Sequence, residues 1–454
     1  MLSAMRLRVS TTLLALAVGL WATAPPATAQ HNRIDVVSPL APELAARGDT
    51  VVGVRTLTAV DAGRIDILNT KDGAPSLRYD RPLTLEVWYP AAAGTTVAAE
   101  GGAYHTVLRD GVTKTTLHGR AVRDAAPRAG GSPVPLLVLS HGYPGNRLLM
   151  SHLGEHIASR GYVVVSIDHT DSTYDSQKAF ASTLYNRALD QRFVIDEVAR
   201  LAAAGSGSVL AGLVDVSRTA VLGYSMGGYG VVNLVGGGYR REAAAYPNGP
   251  PNRLLLERAA GTPAYEASRD ARVKAAIAIG PWGMQMGYWD AAGLAGIRTP
   301  LLLVAGSADD VSGYEKGTRA IFEGAVNSDR HLLTFVNANH NAAAPMPAPA
   351  EAYAFSEAAK SYPFTHYADP VWDTVRMNNI LAHFVTAYAD LHLKGDAEKA
   401  GYLEVVPHGK DAVFALDRAG APAPTHNYWK GFKRGTAMGL VLEHLAPHAS
   451  RSPR

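Results

Sequence analysis

Cysteine is missing altogether from the 454 residues. That absence excludes disulfides, thiolate metal sites and a cysteine nucleophile together, so the fold has to rest on its buried core. An excess of charge of one sign is missing too, with 43 Lys and Arg against 40 Asp and Glu. Without Arg6 and Arg8 the basic count falls to 41. So even a balance offers no basic patch for nucleic acid and no acidic or basic field for a charged surface. Long apolar runs are absent beyond residue 21, and no stable membrane insertion is expected of the rest.

The one early apolar run, residues 12–21, follows Arg6 and Arg8 and leads to Ala27-Thr28-Ala29. A basic start, a core too short for a comfortable span and an Ala-x-Ala site describe an export signal. Residues 1–29 are therefore expected to be removed after Ala29, leaving 30–454 as one domain that is secreted or periplasmic.

Residues 50–69 and 83–89 alternate and are rich in β-branched side chains, which predicts antiparallel strands with a turn at Asp61-Ala62-Gly63. Residues 91–132 carry no firm period and are read as a surface excursion. From Pro133 the pattern changes. Continuous apolar runs at 134–139, 162–167, 219–224, 273–279, 301–305 and 332–336 alternate with helical stretches at 148–160, 184–204, 313–325 and 372–393. Such runs predict strands buried on both faces, hence a doubly wound, mostly parallel sheet after an antiparallel start. The segment from residue 401 is expected to pack outside and fray at its polar end.

One stretch carries chemistry. Gly223-Tyr224-Ser225-Met226-Gly227 stands between a strand and an apolar helix, the G-x-S-x-G pattern of a nucleophile elbow. A turn that sharp crowds the positions two before and two after the serine, and Gly223 and Gly227 leave them bare. Ser225 is thus the candidate nucleophile, with the Met226 amide as one oxyanion donor. The second donor is expected from Ser140-His141-Gly142-Tyr143-Pro144-Gly145, at the Tyr143 amide. An acid should follow a later strand; Asp309 is chosen three residues after Gly306, with Asp310 as its competitor. His340, on the loop after the next strand, fills the place of the base. Asp309 would then hold the imidazole's tautomer while His340 relays the proton. His152-Leu153-Gly154-Glu155-His156 matches H-x-x-E-H, but no third ligand accompanies it and Gly154 weakens the helix, so it is read as a polar helix face and no metal is assigned.

With Arg81–Pro90, Ser140–Gly145, Gly161–His169 and the elbow assembled, the chain resembles α/β-hydrolases of the dienelactone hydrolase-like and platelet-activating-factor acetylhydrolase-like branch, over roughly residues 51–340. The resemblance implies an α/β-hydrolase fold, carboxylic ester hydrolysis through an acyl-serine and no metal or organic cofactor. Dienelactone hydrolases proper use cysteine, which this chain lacks, so the resemblance points to serine esterase or lipase chemistry on a small-molecule or lipid ester. Insertions near 236–272 and 341–371 are candidates for a cap or lid, and Trp282, Met284 and Met286 for the substrate pocket. A catalytically silent extracellular binding protein, or an acyltransferase using the same three side chains, remain the alternatives.

Overall fold

The computed structural model describes residues 32–97, 101–246 and 248–448. The leader and its cut after Ala29 lie outside these residues. The chain enters the sheet through β1 (Val52–Ile65) and β2 (Arg78–Pro90), a long antiparallel pair. The expected turn at 61–63 is corrected. The strand runs through it, with Asp61 opposite Arg81 and Arg64 opposite Tyr79, and Gly63 at φ +70°. A left-handed glycine serves a bulge as well as a turn, and here the strand's long pairing decides between them.

The excursion at 91–132 is likewise corrected. It holds a two-stranded hairpin, β3 (Gly102–Val107) with β4 (Lys114–Gly119), and a short β5 (Val122–Arg123) that extends the main sheet beside β1. Tyr104, Leu108, Leu117 and Ala121 are fully buried. The anchor is Glu155, whose buried carboxylate accepts from the Tyr104 hydroxyl at 2.5 Å and the amides of Arg120 and Ala121 at 2.8 and 2.9 Å. The glutamate of the H-x-x-E-H run is therefore a tether, and its oxygens are occupied by the excursion.

Strand and helix then alternate: β6 (Val134–Ser140), α1 (Ser151–Ser159), β7 (Val163–Asp168), α2 (Phe180–Ala202), β8 (Val214–Tyr224), α3 (Met226–Leu234), α4 (Pro263–Glu266), β9 (Val273–Ile279), α5 (Ala291–Leu294), β10 (Leu301–Gly306), α6 (Ala320–Gly324), β11 (Arg330–Phe335), α7 (Thr374–Lys394) and β12 (Leu440–Leu445). The sheet order is β12-β11-β10-β9-β8-β6-β7-β2-β1-β5. From β11 to β7 every neighbouring pair is parallel.

The reason is visible in β6. Successive side chains of a strand point to opposite faces. Leu137 and Leu139 enter a core with residues of α1 and α7, while Leu136 and Val138 enter one with residues of α2 and α3. Both faces are covered, so both sets must be apolar. Strand ends then open at one edge, where the connecting loops gather.

The C-terminal segment differs from its expectation. β12 pairs antiparallel with β11 at the sheet's edge, and Trp429 and Phe432 are buried beside Phe384 of α7. An exposed β11 would leave its backbone groups unpaired, and β12 covers them. Among the described residues no helix is long and apolar enough to cross a membrane.

Candidate active site

β8 ends at Tyr224, α3 begins at Met226, and Ser225 between them sits at φ 54°, ψ −114°. That region is unfavourable for a residue with a side chain, and the surroundings hold it in place. The Ser225 N–H donates to the Ile279 carbonyl at 2.8 Å, and its own carbonyl accepts from the Tyr229 amide at 2.9 Å. A Cβ on Gly223 would lie 2.2 Å from the Gly227 backbone, and one on Gly227 would lie 2.0 Å from the Ser140 carbonyl oxygen. Both glycines are steric requirements of this turn.

The loops after β10 and β11 meet the serine. His340 Nε2 is 3.0 Å from Ser225 Oγ, and its Nδ1 is 2.9 Å from Asp309 Oδ2. Position separates the two acids: Asp309 is buried against the imidazole, whereas Asp310 is exposed at the rim. Burial works against ionisation of Asp309, yet the hydrogen bond and charge of His340 and the amides of Ser312 and Val311 outweigh it and hold the carboxyl below its ordinary range. The Ser312 and Val311 amides reach Asp309 Oδ1 at 2.8 and 2.9 Å. On the other side the Tyr224 ring lies 5.1 Å from the imidazole, centroid to centroid.

The loop after β6 supplies the opposite wall. His141 Nδ1 lies 2.7 Å from the Gly142 carbonyl oxygen, and Arg187 of α2 donates to the His141 and Gly142 carbonyls at 2.6 and 3.3 Å. In a trans peptide the N–H points opposite to the C=O. With the Gly142 carbonyl drawn inward, the Tyr143 N–H is turned away from Arg187. A Cβ on Gly142 would lie 3.3 Å from Ser225 Cβ, so this peptide stands directly beside the serine. Neither the Tyr143 nor the Met226 amide donates to a protein acceptor among the described residues.

A second set of the same residue types lies beneath this loop. Ser140 Oγ is 2.8 Å from His169 Nε2, and His169 Nδ1 is 3.0 Å from Asp190 Oδ2. Asp190 also accepts from Arg81 at 2.9 and 3.0 Å and from Arg64 at 3.1 Å. All of Ser140, His169 and Asp190 are at most 1% exposed.

The Ser225 cleft has a volume of about 360 Å³. Its walls come from the β6 loop, from residues 339–341, from 359–366 of the second insertion, and from Arg109 at the tip of the β3–β4 hairpin. The first insertion, 236–272, does not line it. Trp282, Met284 and Met286 also stand beside the cleft rather than in its lining. Gly283 at φ +126° and Gly287 at φ +70° fold the loop after β9 back on itself. The Trp282 ring therefore packs 5.2 Å from Phe180 and 5.5 Å from Tyr288, and Met286 is exposed. Phe180 in turn lies 5.0 Å from Tyr143, so the indole joins the cleft's wall through ring contacts, while the Trp282 amide donates to the Ser225 carbonyl at 3.2 Å. Arg109 and His366 had no motif to mark them; each arrives from a segment without periodicity. His152-to-His156, by contrast, contributes nothing here: burial drives both imidazoles down to about 3, and His156 Nε2 is 2.9 Å from Thr386 Oγ1.

Mostly parallel sheet, strand-to-helix elbow and loop-borne acid and histidine give the chain an α/β-hydrolase fold. Residues 87–252 match the PET hydrolase-like family. The chain is similar to Cutinase est1 of Thermobifida alba, 28% identical over 207 residues that cover 45% of this chain and 53% of that one. It is also similar to Cutinase cut1 of Thermobifida fusca, 28% identical over 176 residues, 39% of this chain and 40% of that one. The chain thus spans about half the length of these relatives. A ferulic acid esterase from Streptomyces cinnamoneus superposes with a TM-score of 0.51 at 24% identity, over 78% of this chain and 94% of that one, which speaks for the fold. These matches bear out the α/β-hydrolase resemblance drawn from the motifs.

Proposed function

We propose that the chain is a secreted serine hydrolase of carboxylic esters, with Ser225 as nucleophile, His340 as base and Asp309 as its orienting acid. The observation that carries the reading is the unbroken contact from Ser225 Oγ through both ring nitrogens of His340 to Asp309, at a strained elbow that opens on a cleft. The similarity to cutinases and to the PET hydrolase-like family supports the same chemistry.

In the first half-reaction Ser225 Oγ attacks the acyl carbon while its proton passes to His340 Nε2. The carbonyl oxygen gains the negative charge and is received by the Tyr143 and Met226 amides, aided by the positive end of α3. Collapse of the tetrahedral adduct breaks the C–O bond, and the alcohol leaves with the proton from His340. Water then repeats the sequence, giving its proton to His340 and its oxygen to the acyl carbon. The acid departs and Ser225 recovers its hydrogen. Export, with cleavage after Ala29, completes the proposal and rests on the pattern of Arg6, Arg8, residues 12–21 and Ala27-Thr28-Ala29.

The test uses a fluorophosphonate probe together with para-nitrophenyl esters of rising acyl length. Wild type should be labelled and should turn esters over, and Ser225→Ala should do neither. Equal labelling of the two proteins would remove Ser225 from the mechanism.

A further inference from the structure

A positive charge stands in the Ser225 cleft without an ion-pair partner among the described residues. Arg109, half-buried at the tip of the β3–β4 hairpin, lines the cleft together with Ser225, Gly142 and His340. Its one protein partner among the described residues is the Pro144 carbonyl, which accepts from Nη1 at 2.9 Å. A guanidinium offers five N–H donors in a planar fork that matches a carboxylate, so the greater part of this fork is left for the cleft. Arg187, the arginine behind the same loop, is spent on the His141 and Gly142 carbonyls and the Ser172 hydroxyl. Asp310 shares the cleft's rim but is exposed and makes no ion pair with Arg109.

The position is fixed rather than fluid. Leu108 beside it is fully buried, Asp110 accepts from the Thr113 amide and hydroxyl at 2.9 and 2.6 Å, and Gly111 packs where a Cβ would meet the Tyr174 carbonyl at 2.5 Å. Pro144 follows Tyr143 and its carbonyl accepts from Arg109, so Arg109 is tied to the loop after β6 that stands beside Ser225. Across from it His366 lies 2.8 Å from the Tyr174 hydroxyl; burial, then Arg109 and His340, keep that imidazole neutral and well below its usual range. A neutral ester needs no cation here, because its developing oxyanion is served by two amides.

We propose that Arg109 is a substrate-binding residue and that the cleft takes esters carrying a second, ionised carboxylate, which the guanidinium holds while the ester carbonyl faces Ser225. This rests on the esterase reading of the same cleft. The carboxylate can belong to the acyl group, as in a half-ester of a dicarboxylic acid, or to the alcohol, as in an acylated hydroxy acid. Both place one anion beside one ester.

Two matched pairs separate these sources: mono-para-nitrophenyl glutarate against its methyl ester, and para-acetoxybenzoate against its methyl ester. Each is assayed with wild type, Arg109→Gln and Arg109→Lys, with active sites counted by the fluorophosphonate probe. The readout is the anionic-to-neutral ratio of kcat/KM, which does not depend on how much protein folds. In at least one pair the ratio should fall about tenfold or more in the Gln variant, mainly through KM, and recover in part with Lys. In wild type it should also fall as sodium chloride is raised. Ratios unchanged by Arg109→Gln in both pairs would overturn the carboxylate site while leaving the esterase reading intact. Absence of Ser225-dependent turnover of every ester, neutral ones included, would bring down both.

Discussion

Two Ser–His–Asp sets lie within one molecule, with nearly the same bond lengths. At the cleft the serine-to-imidazole distance is 3.0 Å and the imidazole-to-carboxylate distance 2.9 Å; beneath the oxyanion loop they are 2.8 and 3.0 Å. Everything around them differs. Ser225 is on a strained turn at a helix N-terminus beside two free amides, whereas Ser140 closes a strand in the sealed interior. Asp309 answers one imidazole and two amides, whereas Asp190 is held by two arginines as well. Burial drives His169 down to about 3, too low for it to serve as a base near neutral pH. A hydrogen-bonded chain of the right residues is therefore not by itself a catalyst; the outer set differs from the inner in access, in backbone strain and in the free amides near its serine. The inner set touches the loop beside the outer one. His169 donates its amide to His141 Nε2 at 3.2 Å, and His141 Nδ1 in turn lies 2.7 Å from the carbonyl oxygen of the Gly142–Tyr143 peptide.

Substitutions break this comparison in graded ways. The largest effect is expected at Ser225→Ala, with a loss of esterase kcat on the order of 10⁴-fold or more, and no labelling. Asp309→Asn should cost on the order of 10⁴-fold in kcat with the protein still folded, because the imidazole loses its tautomer and its counter-charge. If Asp309→Asn kept wild-type kcat, the outer set would have been misread. Asp190→Asn should act on stability instead. Removing one partner of a fully buried ion pair costs about 3–5 kcal/mol, read as a lower midpoint in urea. A variant as stable as wild type would show that the inner carboxylate does not clamp Arg81 and Arg64 to the core.

Acid sharpens the contrast further. His152, His156, His169 and His383 are driven by burial to about 3, and His331 to about 4. Each has a folded pKa below its unfolded one, so the unfolded chain binds more protons between the two values. Stability should hence be level above about pH 6.5 and fall as pH drops from there toward about 3. Thermal midpoints measured across that range would contradict this by staying flat down to pH 4. The smallest effect belongs to Ser140→Ala, which leaves His169 Nε2 without its partner and should cost about 1–2 kcal/mol. Probe labelling at Ser225 should survive it.

Legibility followed the same division. The central strands could be read because a strand buried on both faces must be apolar at every position, as in residues 134–139 and 301–305. The elbow could be read because its strain demands glycine two residues either side of Ser225. The hairpin at 102–119 could not. Its alternation is diluted by His105, Thr106, Thr115 and Thr116, and its inward residues find their partner in Glu155, which is remote in sequence. Neither could β12, whose pairing depends on an edge that exists only once β11 is in place. The choice of Asp309 over Asp310 needed the direction in which each carboxylate leaves the loop.

What the sequence settled by itself was local: which runs are apolar enough to be central strands, where the backbone must pass without side chains, and which residue types could relay a proton. Tertiary structure decided which of two similar side-chain sets meets solvent, which acid faces the imidazole, and that a hairpin tip carries Arg109 to the serine. The physical reason is that strain and hydropathy act over a few neighbouring residues. Access, burial and charge pairing belong to groups that become neighbours only when the sheet has closed.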